Sequence, residues 1–378
     1  MSSGVPLIDL QAQHRQVAEQ VAAGFARVLE TCSFILGPEV PAFEQAFAAH
    51  AGVRHCIGVA NGTDALELSL RAAGIGPGDE VLLPVNTFIA TALAVARIGA
   101  VPAFVDCEPV HFLMDAVKAQ TRITKRTRGL LPVHLFGQIA EMERFEAIAR
   151  RHNLRLFEDA AQAHGALRHG FGIGHWGIAA GTSFYPGKNL GAYGDAGAVL
   201  TNSDDVADRL RALRNYGSAI KYHHPETGFN SRLDTLQAVV LLAKLTHLEQ
   251  WNEARRQAAA RYDMLLADVP EVIRPTVAAG NLHVYHLYVI RTPHRDRILA
   301  ELHNAGIGAA IHYPLPIHLQ GAFKYLGHRE GDYPVAERAA KEVLSLPMFP
   351  HISPEQQQHI VSALKAALRA AASPCIAV

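Results

Sequence analysis

Short apolar runs of about five residues recur along the chain from residue 55 onward, and helical patterns separate them. This alternation marks an α/β unit whose strands are covered by helices. Cys56–Ala60 reads as a buried strand, and Asn61-Gly62-Thr63-Asp64 opens a helix that continues through Leu70, with Gly74 near its end. Glu80–Pro84 is a second strand, followed by a helix over Ile89–Ile98. Val101–Val105 is a third and ends at Asp106. The pattern repeats with a strand over Gly129–His134, a helix over Glu141–His152 and a strand over Leu154–Phe157. Two further strands, Ala180–Phe184 and Ala198–Thr201, flank a glycine-rich segment. From Leu233 to Leu266 apolar residues return at spacings of three and four, among them Leu236, Val240 and Leu248. That spacing predicts one long helix joining two domains. Beyond it lie a strand over His286–Ile290, a helix over Arg295–Ala305, a loop rich in proline and histidine over Ile311–Gln320, and two final helices. The expected organisation is a large, mostly parallel α/β domain over 1–245 and a smaller α+β domain over 246–378.

Composition narrows the chemistry. At 378 residues the chain exceeds the usual single core, and 49% hydrophobic content gives ample material for burial. Lys+Arg and Asp+Glu balance at 35 each, so nothing favours a polyanion, and no nucleic-acid partner is expected. Cys32, Cys56, Cys107 and Cys375 lie far apart, which argues against zinc or a disulfide framework and fits a reducing cytoplasm. The N-terminus lacks the charge and apolar pattern of a secretory signal, and no run approaches the length of a membrane span.

One lysine stands out. Lys188 sits within Thr182-Ser-Phe-Tyr-Pro-Gly-Lys188-Asn-Leu-Gly-Ala-Tyr-Gly-Asp195, a stretch with little helix-forming sequence. A buried amine facing an anionic carbonyl cofactor, pyridoxal phosphate, explains it better than a solvated surface charge. Such a cofactor asks for backbone N–H donors at its phosphate, a buried carboxylate at its ring nitrogen and a lysine of lowered pKa at its aldehyde. The start of a helix at Gly62-Thr63 offers the donors, although an ordinary capped helix start accounts for it equally well. Ser183 adds a hydroxyl, although a lone serine in a strand is usually structural. Asp159 follows the strand Leu154–Phe157, where ligands of open parallel sheets gather; the competing reading is a helix cap or a loop ion pair. Gln162 lies three residues on, within reach of the ring's phenolic oxygen. Phe88 is placed to stack on the ring or to fill core. Gly191-Ala-Tyr-Gly194 precedes a strand and opens no helix, so it is not a dinucleotide fingerprint. No phosphate-binding G-x-x-x-x-G-K-[ST] and no H-E-x-x-H occur, and no metal is expected.

With these residues assembled, the chain resembles the DegT/DnrJ/EryC1/StrS family of pyridoxal-phosphate-dependent nucleotide-sugar aminotransferases. The likeness runs through Asn61-Gly-Thr-Asp-Ala-Leu, Glu158-Asp-Ala-Ala-Gln-Ala-His-Gly165, the Lys188 segment and Gly228-Phe-Asn230-Ser-Arg232-Leu-Asp234. It implies the fold type I of pyridoxal-phosphate transferases, like aspartate aminotransferase. It implies that Lys188 forms the covalent link to the cofactor and Asp159 pairs with the ring nitrogen. Gln162 would lie by the ring hydroxyl and Phe88 on the ring face. Gly62, Thr63 and Ser183 would hold the phosphate, joined by Asn230 from the partner of a homodimer. The residues Lys188–Asp195 are similar to the branch that aminates C3 of a dTDP-linked 3-keto-6-deoxyhexose, with L-glutamate as donor by family habit. Tyr185, Lys221, Tyr222, His312, Tyr313 and His318 are then the residues expected to face substrate; the histidines have equally good structural readings. Amination at C4 or of a UDP-linked sugar, and a non-catalytic regulator that binds the cofactor, are the alternatives.

Overall fold

The computed structural model describes residues 4–218, 220 and 222–372. Its strands are β1 (His55–Val59), β2 (Glu80–Pro84), β3 (Val101–Val105), β4 (Thr127–Leu130), β5 (Arg155–Asp159), β6 (Leu167–Arg168), β7 (Ala179–Ser183), β8 (Gly197–Thr201), β9 (Asn281–Leu282), β10 (Tyr288–Arg291) and β11 (Val343–Leu346). Seven of them form one sheet in the order β1-β8-β7-β5-β4-β2-β3. Only β8 runs against the others, because it pairs antiparallel with both β1 and β7 while the remaining pairs are parallel. The carboxyl ends of β1, β2, β5 and β7 therefore open on one edge.

Helices cover both faces, as the alternation of each strand requires. On one face Ile57, Val81, Leu83, Phe157 and Val199 pack with α3 (Gly62–Ala72), α4 (Ile89–Arg97) and α7 (Asp204–Leu213). On the other, Cys56, Leu82, Leu156 and Leu200 meet α2 (Glu39–Ala51), α6 (Met142–His152) and α8 (Thr235–Leu245). The N-terminal α1 (Leu10–Thr31) lies against α8, burying Val17 and Val21 beside Val240. The short α5 (Ala116–Thr121) joins the second face through Ala116 and Ala119. A third core unites α9 (Leu248–Leu265), α10 (Arg295–Asn304), α12 (Pro354–Ala372), β10 and β11, with Val5 added from the N-terminus. Between these last elements lies α11 (Pro334–Glu342).

The long helix expected over 233–266 is two helices. At Thr246 and His247 the backbone stays near the right-handed region, but the His247 N–H bonds Lys244 three residues back, closing a tight turn. Apolar spacing continues through that turn and hides it. The strand expected over Gly129–His134 ends at Leu130, since Pro132 has no N–H for the ladder. The strand expected from His286 begins at Tyr288, leaving His286 in a loop. Among the described residues no helix is long and apolar enough to cross a membrane.

Candidate active site

The carboxyl ends of the aligned strands surround a cavity of about 660 Å³. From β1 the chain turns at Asn61 into α3; from β2 it passes Thr87 and Phe88 into α4; β5 ends on Asp159; β7 ends on Ser183, five residues before Lys188. Binding at this edge is the general habit of open parallel sheets.

Asp159 is the acid of the site. It is buried, and burial raises its pKa; against that, Thr91 Oγ1 donates to Oδ2 at 2.7 Å and the Ala161 N–H to Oδ1 at 3.2 Å. Thr91 is itself bonded to Thr87 at 3.0 Å, so the carboxylate ends a fully buried chain of hydroxyls. Its neighbour Glu158 points the opposite way, as strand alternation demands. There it accepts from His134 Nε2 at 2.9 Å and from the N–H groups of Gly174, Trp176 and Gly177. Burial pushes the Glu158 pKa up, and these donors more than cancel it. Glu158 thus anchors the loop 174–177 beneath the site while Asp159 faces the cavity.

Lys188 keeps some accessible surface where it lines the cavity, so it is only partly buried as a side chain. Protein closely surrounds its amine, and that desolvation lowers its pKa to about 8 against the opposing pull of Asp159. A substantial neutral fraction at physiological pH is what a nucleophilic lysine needs. Gln162 accepts from the Phe136 N–H at 2.7 Å and donates to the Tyr313 hydroxyl at 3.1 Å. Tyr313 in turn packs 5.6 Å from Phe88, centroid to centroid.

The start of α3 is built for an anion. Asn61 caps the helix by accepting from the Asp64 N–H at 2.9 Å. The N–H groups of Gly62 and Thr63, both at the cavity, have no carbonyl within the helix to bond. Glycine is required here by space: a Cβ on Gly62 would stand 2.5 Å from Ser183 Cβ. Two N–H donors, a serine hydroxyl, a buried carboxylate and a lysine of lowered pKa in one cavity fit pyridoxal phosphate.

The cavity brings together Gly62, Thr63, Phe88, Asp159, Gln162, Ser183, Tyr185, Lys188, His312 and Tyr313. It does not bring in the other expected residues. His318 is buried elsewhere, its Nε2 bonded to Glu337 at 3.0 Å. Asn230 is exposed and accepts from Arg232 at 2.7 Å. Tyr222 is 81% exposed, away from the cavity, and Lys221 lies outside the described residues. Thr91 and His286 escaped sequence reasoning. Thr91 left a faint signal, a second threonine one helical turn after Thr87; His286 left none.

The DegT/DnrJ/EryC1/StrS aminotransferase family matches residues 15–365. The chain is 46% identical over 361 residues to the dTDP-3-amino-3,4,6-trideoxy-alpha-D-glucose transaminase of Streptomyces venezuelae, covering 96% of this chain and 95% of that one. It is 48% identical over 362 residues to the erythromycin biosynthesis sensory transduction protein EryC1 of Saccharopolyspora erythraea, covering 96% and 99%. The crystal structure of S. venezuelae DesV in complex with a ketimine intermediate superposes with a TM-score of 0.94 at 45% identity, over 97% of this chain and 99% of that one. The chain therefore belongs to the DegT/DnrJ/EryC1/StrS aminotransferase family and is an enzyme whose cofactor is pyridoxal phosphate.

Proposed function

We propose that the enzyme moves an amino group from L-glutamate to the C3 keto group of a dTDP-linked 3-keto-6-deoxyhexose. The observation that carries this reading is the shared cavity of Lys188, Asp159 and the α3 start, in a chain so close to a dTDP-3-amino sugar transaminase. The stretch Asn189–Asp195 after the lysine supports C3 as the carbon that receives nitrogen.

When bound, the cofactor would supply an electron sink for the electron pair left as the donor's α-carbon loses its proton. Asp159 would keep the ring nitrogen protonated, and Gly62, Thr63 and Ser183 would hold the phosphate. Phe88 would pack on the ring face and Gln162 would lie by its hydroxyl, both lining the cavity. Lys188, neutral at Nζ, would take the proton from the donor's α-carbon as base and deliver it as acid to the cofactor's C4′ carbon. His312 and Tyr313 line the cavity wall; Tyr185, 60% exposed at its mouth, faces incoming substrate.

The reading includes a homodimer in which Asn230 reaches the partner's phosphate site. Asn230 is bridged to Asn215, and the exposed Ile35 to Asp234, so this segment lies in a surface that also carries exposed Phe34, Leu36 and Tyr216. A surface of that kind supports a subunit interface. A cytoplasmic location is supported by the unpaired Cys32, Cys56 and Cys107.

The decisive experiment offers the holoenzyme a panel of dTDP- and UDP-linked 3-keto and 4-keto sugars with glutamate, and reads the aminated carbon by NMR. Nitrogen at C4, or no product from any dTDP-3-keto sugar, overturns the proposal. Lys188→Ala should abolish turnover while leaving the circular dichroism of the fold unchanged.

A further inference from the structure

One side chain at the cavity is held in a single protonation form by the protein behind it. His286 lies in the loop before β10, buried, yet part of the cavity lining with Lys188. Its Nδ1 is 3.2 Å from Asn189 Oδ1, and Asn189 is the residue after Lys188. The orientation of the Asn189 amide is fixed independently. Its Nδ2 lies 3.0 Å from the backbone carbonyl of Val284, which can only accept, and 2.8 Å from Asn252 Oδ1. The Asn252 amide is fixed in the same way, because its own Nδ2 donates to the carbonyl of His164 at 2.8 Å. Both ends of the network are backbone carbonyls, so the donors are assigned throughout. Asn189 Oδ1 must accept, and the proton on His286 must sit on Nδ1.

This leaves Nε2 as a bare acceptor. Among the described residues Nε2 has no hydrogen-bond partner, and it is not among the sealed, unsatisfied buried atoms. The ring remains neutral: burial, then the charge of Lys188, hold its pKa well below the usual histidine range. The loop that carries it is tied down on each side. Val284 N–H bonds Gly137, Leu287 N–H bonds Phe136, and the buried guanidinium of Arg255 donates to Tyr285 at 3.2 Å. Tyr285 itself adopts a left-handed conformation at φ 43°, a conformation that a non-glycine residue holds only where its surroundings impose it.

We propose that His286 is a positioning residue for Lys188: its bare Nε2, held by the Asn189–Asn252 network, accepts a hydrogen bond from the lysine amine and aims the Nζ lone pair at the reacting carbon. A free lysine has rotatable N–H bonds and no preferred direction for its lone pair. One acceptor, fixed by a network that cannot invert, supplies that direction. Because His286 stays neutral, the proton gathered at Nζ remains there until it is delivered to the second carbon. Besides burial, the charges of Lys188, Arg255, His312 and His164 all lower the pKa of His286.

The inference rests on the aminotransferase reading, and the tests separate the two. On the wild-type enzyme, ¹⁵N spectra of labelled histidine, assigned with His286→Gln, should show the Nδ1–H tautomer; the Nε2–H tautomer overturns the proposal without any substrate being used. The second test compares His286→Phe, which keeps a ring and loses the acceptor, with His286→Gln, which restores an acceptor oxygen. The pH dependence of aldehyde capture by the cofactor-free protein reports the Lys188 amine directly. Removal of the acceptor destabilises the ammonium more than the amine, so the apparent pKa should fall in His286→Phe and return in His286→Gln. With glutamate and the sugar, kcat should fall at least tenfold in His286→Phe with KM little changed, and recover in part in His286→Gln. Unchanged Lys188 titration and unchanged kcat in His286→Phe overturn the proposal. If wild-type holoenzyme aminates no sugar, the function reading fails while the tautomer and titration results still decide the role of His286.

Discussion

Asp159 must remain a carboxylate in a place where burial favours the acid, and Thr91 is the side chain that offsets this. The hydroxyl donates to Oδ2 at 2.7 Å with no exposed surface of its own, so its bond favours the ionised form and lowers the pKa against burial. Thr91→Val keeps the shape and removes the donor. A hydrogen bond to a charged group contributes about 1.5–3 kcal/mol, so the Asp159 pKa should rise further and cofactor affinity should fall about tenfold or more. A spectroscopic titration of pyridoxal phosphate into the cofactor-free protein measures this. Thr91→Ser should regain most of the affinity, and equal affinity in Thr91→Val and wild type would show that the hydroxyl is incidental. Asp159 and Lys188 were legible in the sequence because one ends a strand and the other follows one by five residues, each within a distinctive local run. Thr91 was not, because its meaning comes from a partner 68 residues away. The same holds for His286, which acquires a role only through Asn189, 97 residues before it.

At the scale of elements, the site depends on how closely α3 approaches the end of β7. Gly62→Ala tests that approach. The added Cβ would meet Ser183 Cβ at 2.5 Å and Oγ at 3.0 Å, so the helix start or the strand end must move. Overpacking of this kind costs about 1–3 kcal/mol, which a urea midpoint will register. The displaced N–H groups should also lose phosphate more than ring. The preference for pyridoxal phosphate over unphosphorylated pyridoxal should therefore shrink, and an unchanged ratio would place the phosphate elsewhere. The elements themselves were readable where local signals bounded them: β2 and β3 match the expected residues end to end, each closed by turns. Where an end is set by distant pairing, the sequence misled. The break between α8 and α9 lies inside an uninterrupted apolar spacing, and β11 is defined by distant partners, β10 and, through a bridge, Ala310.

For the whole molecule the open question is whether one chain makes a complete site. Asn230 lies outside the cavity of its own chain, exposed in a surface of large apolar residues that includes Phe34, Ile35 and Tyr216. If it acts across a two-fold axis, each site takes Lys188 from one subunit and Asn230 from the other. Two inactive variants then complement one another. Lys188→Ala and Asn230→Ala chains, unfolded together and refolded, form mixed dimers in about half of the population at equal concentrations. In a mixed dimer one site lacks both residues and the other has both. Activity should therefore return to about a quarter of the wild-type value per chain, starting from two preparations that are inactive or nearly so. If Asn230 serves its own subunit, each mixed dimer holds two damaged sites and mixing restores nothing. Sedimentation of the same mixture shows whether dimers formed, so that absence of complementation counts against the shared site and not against refolding.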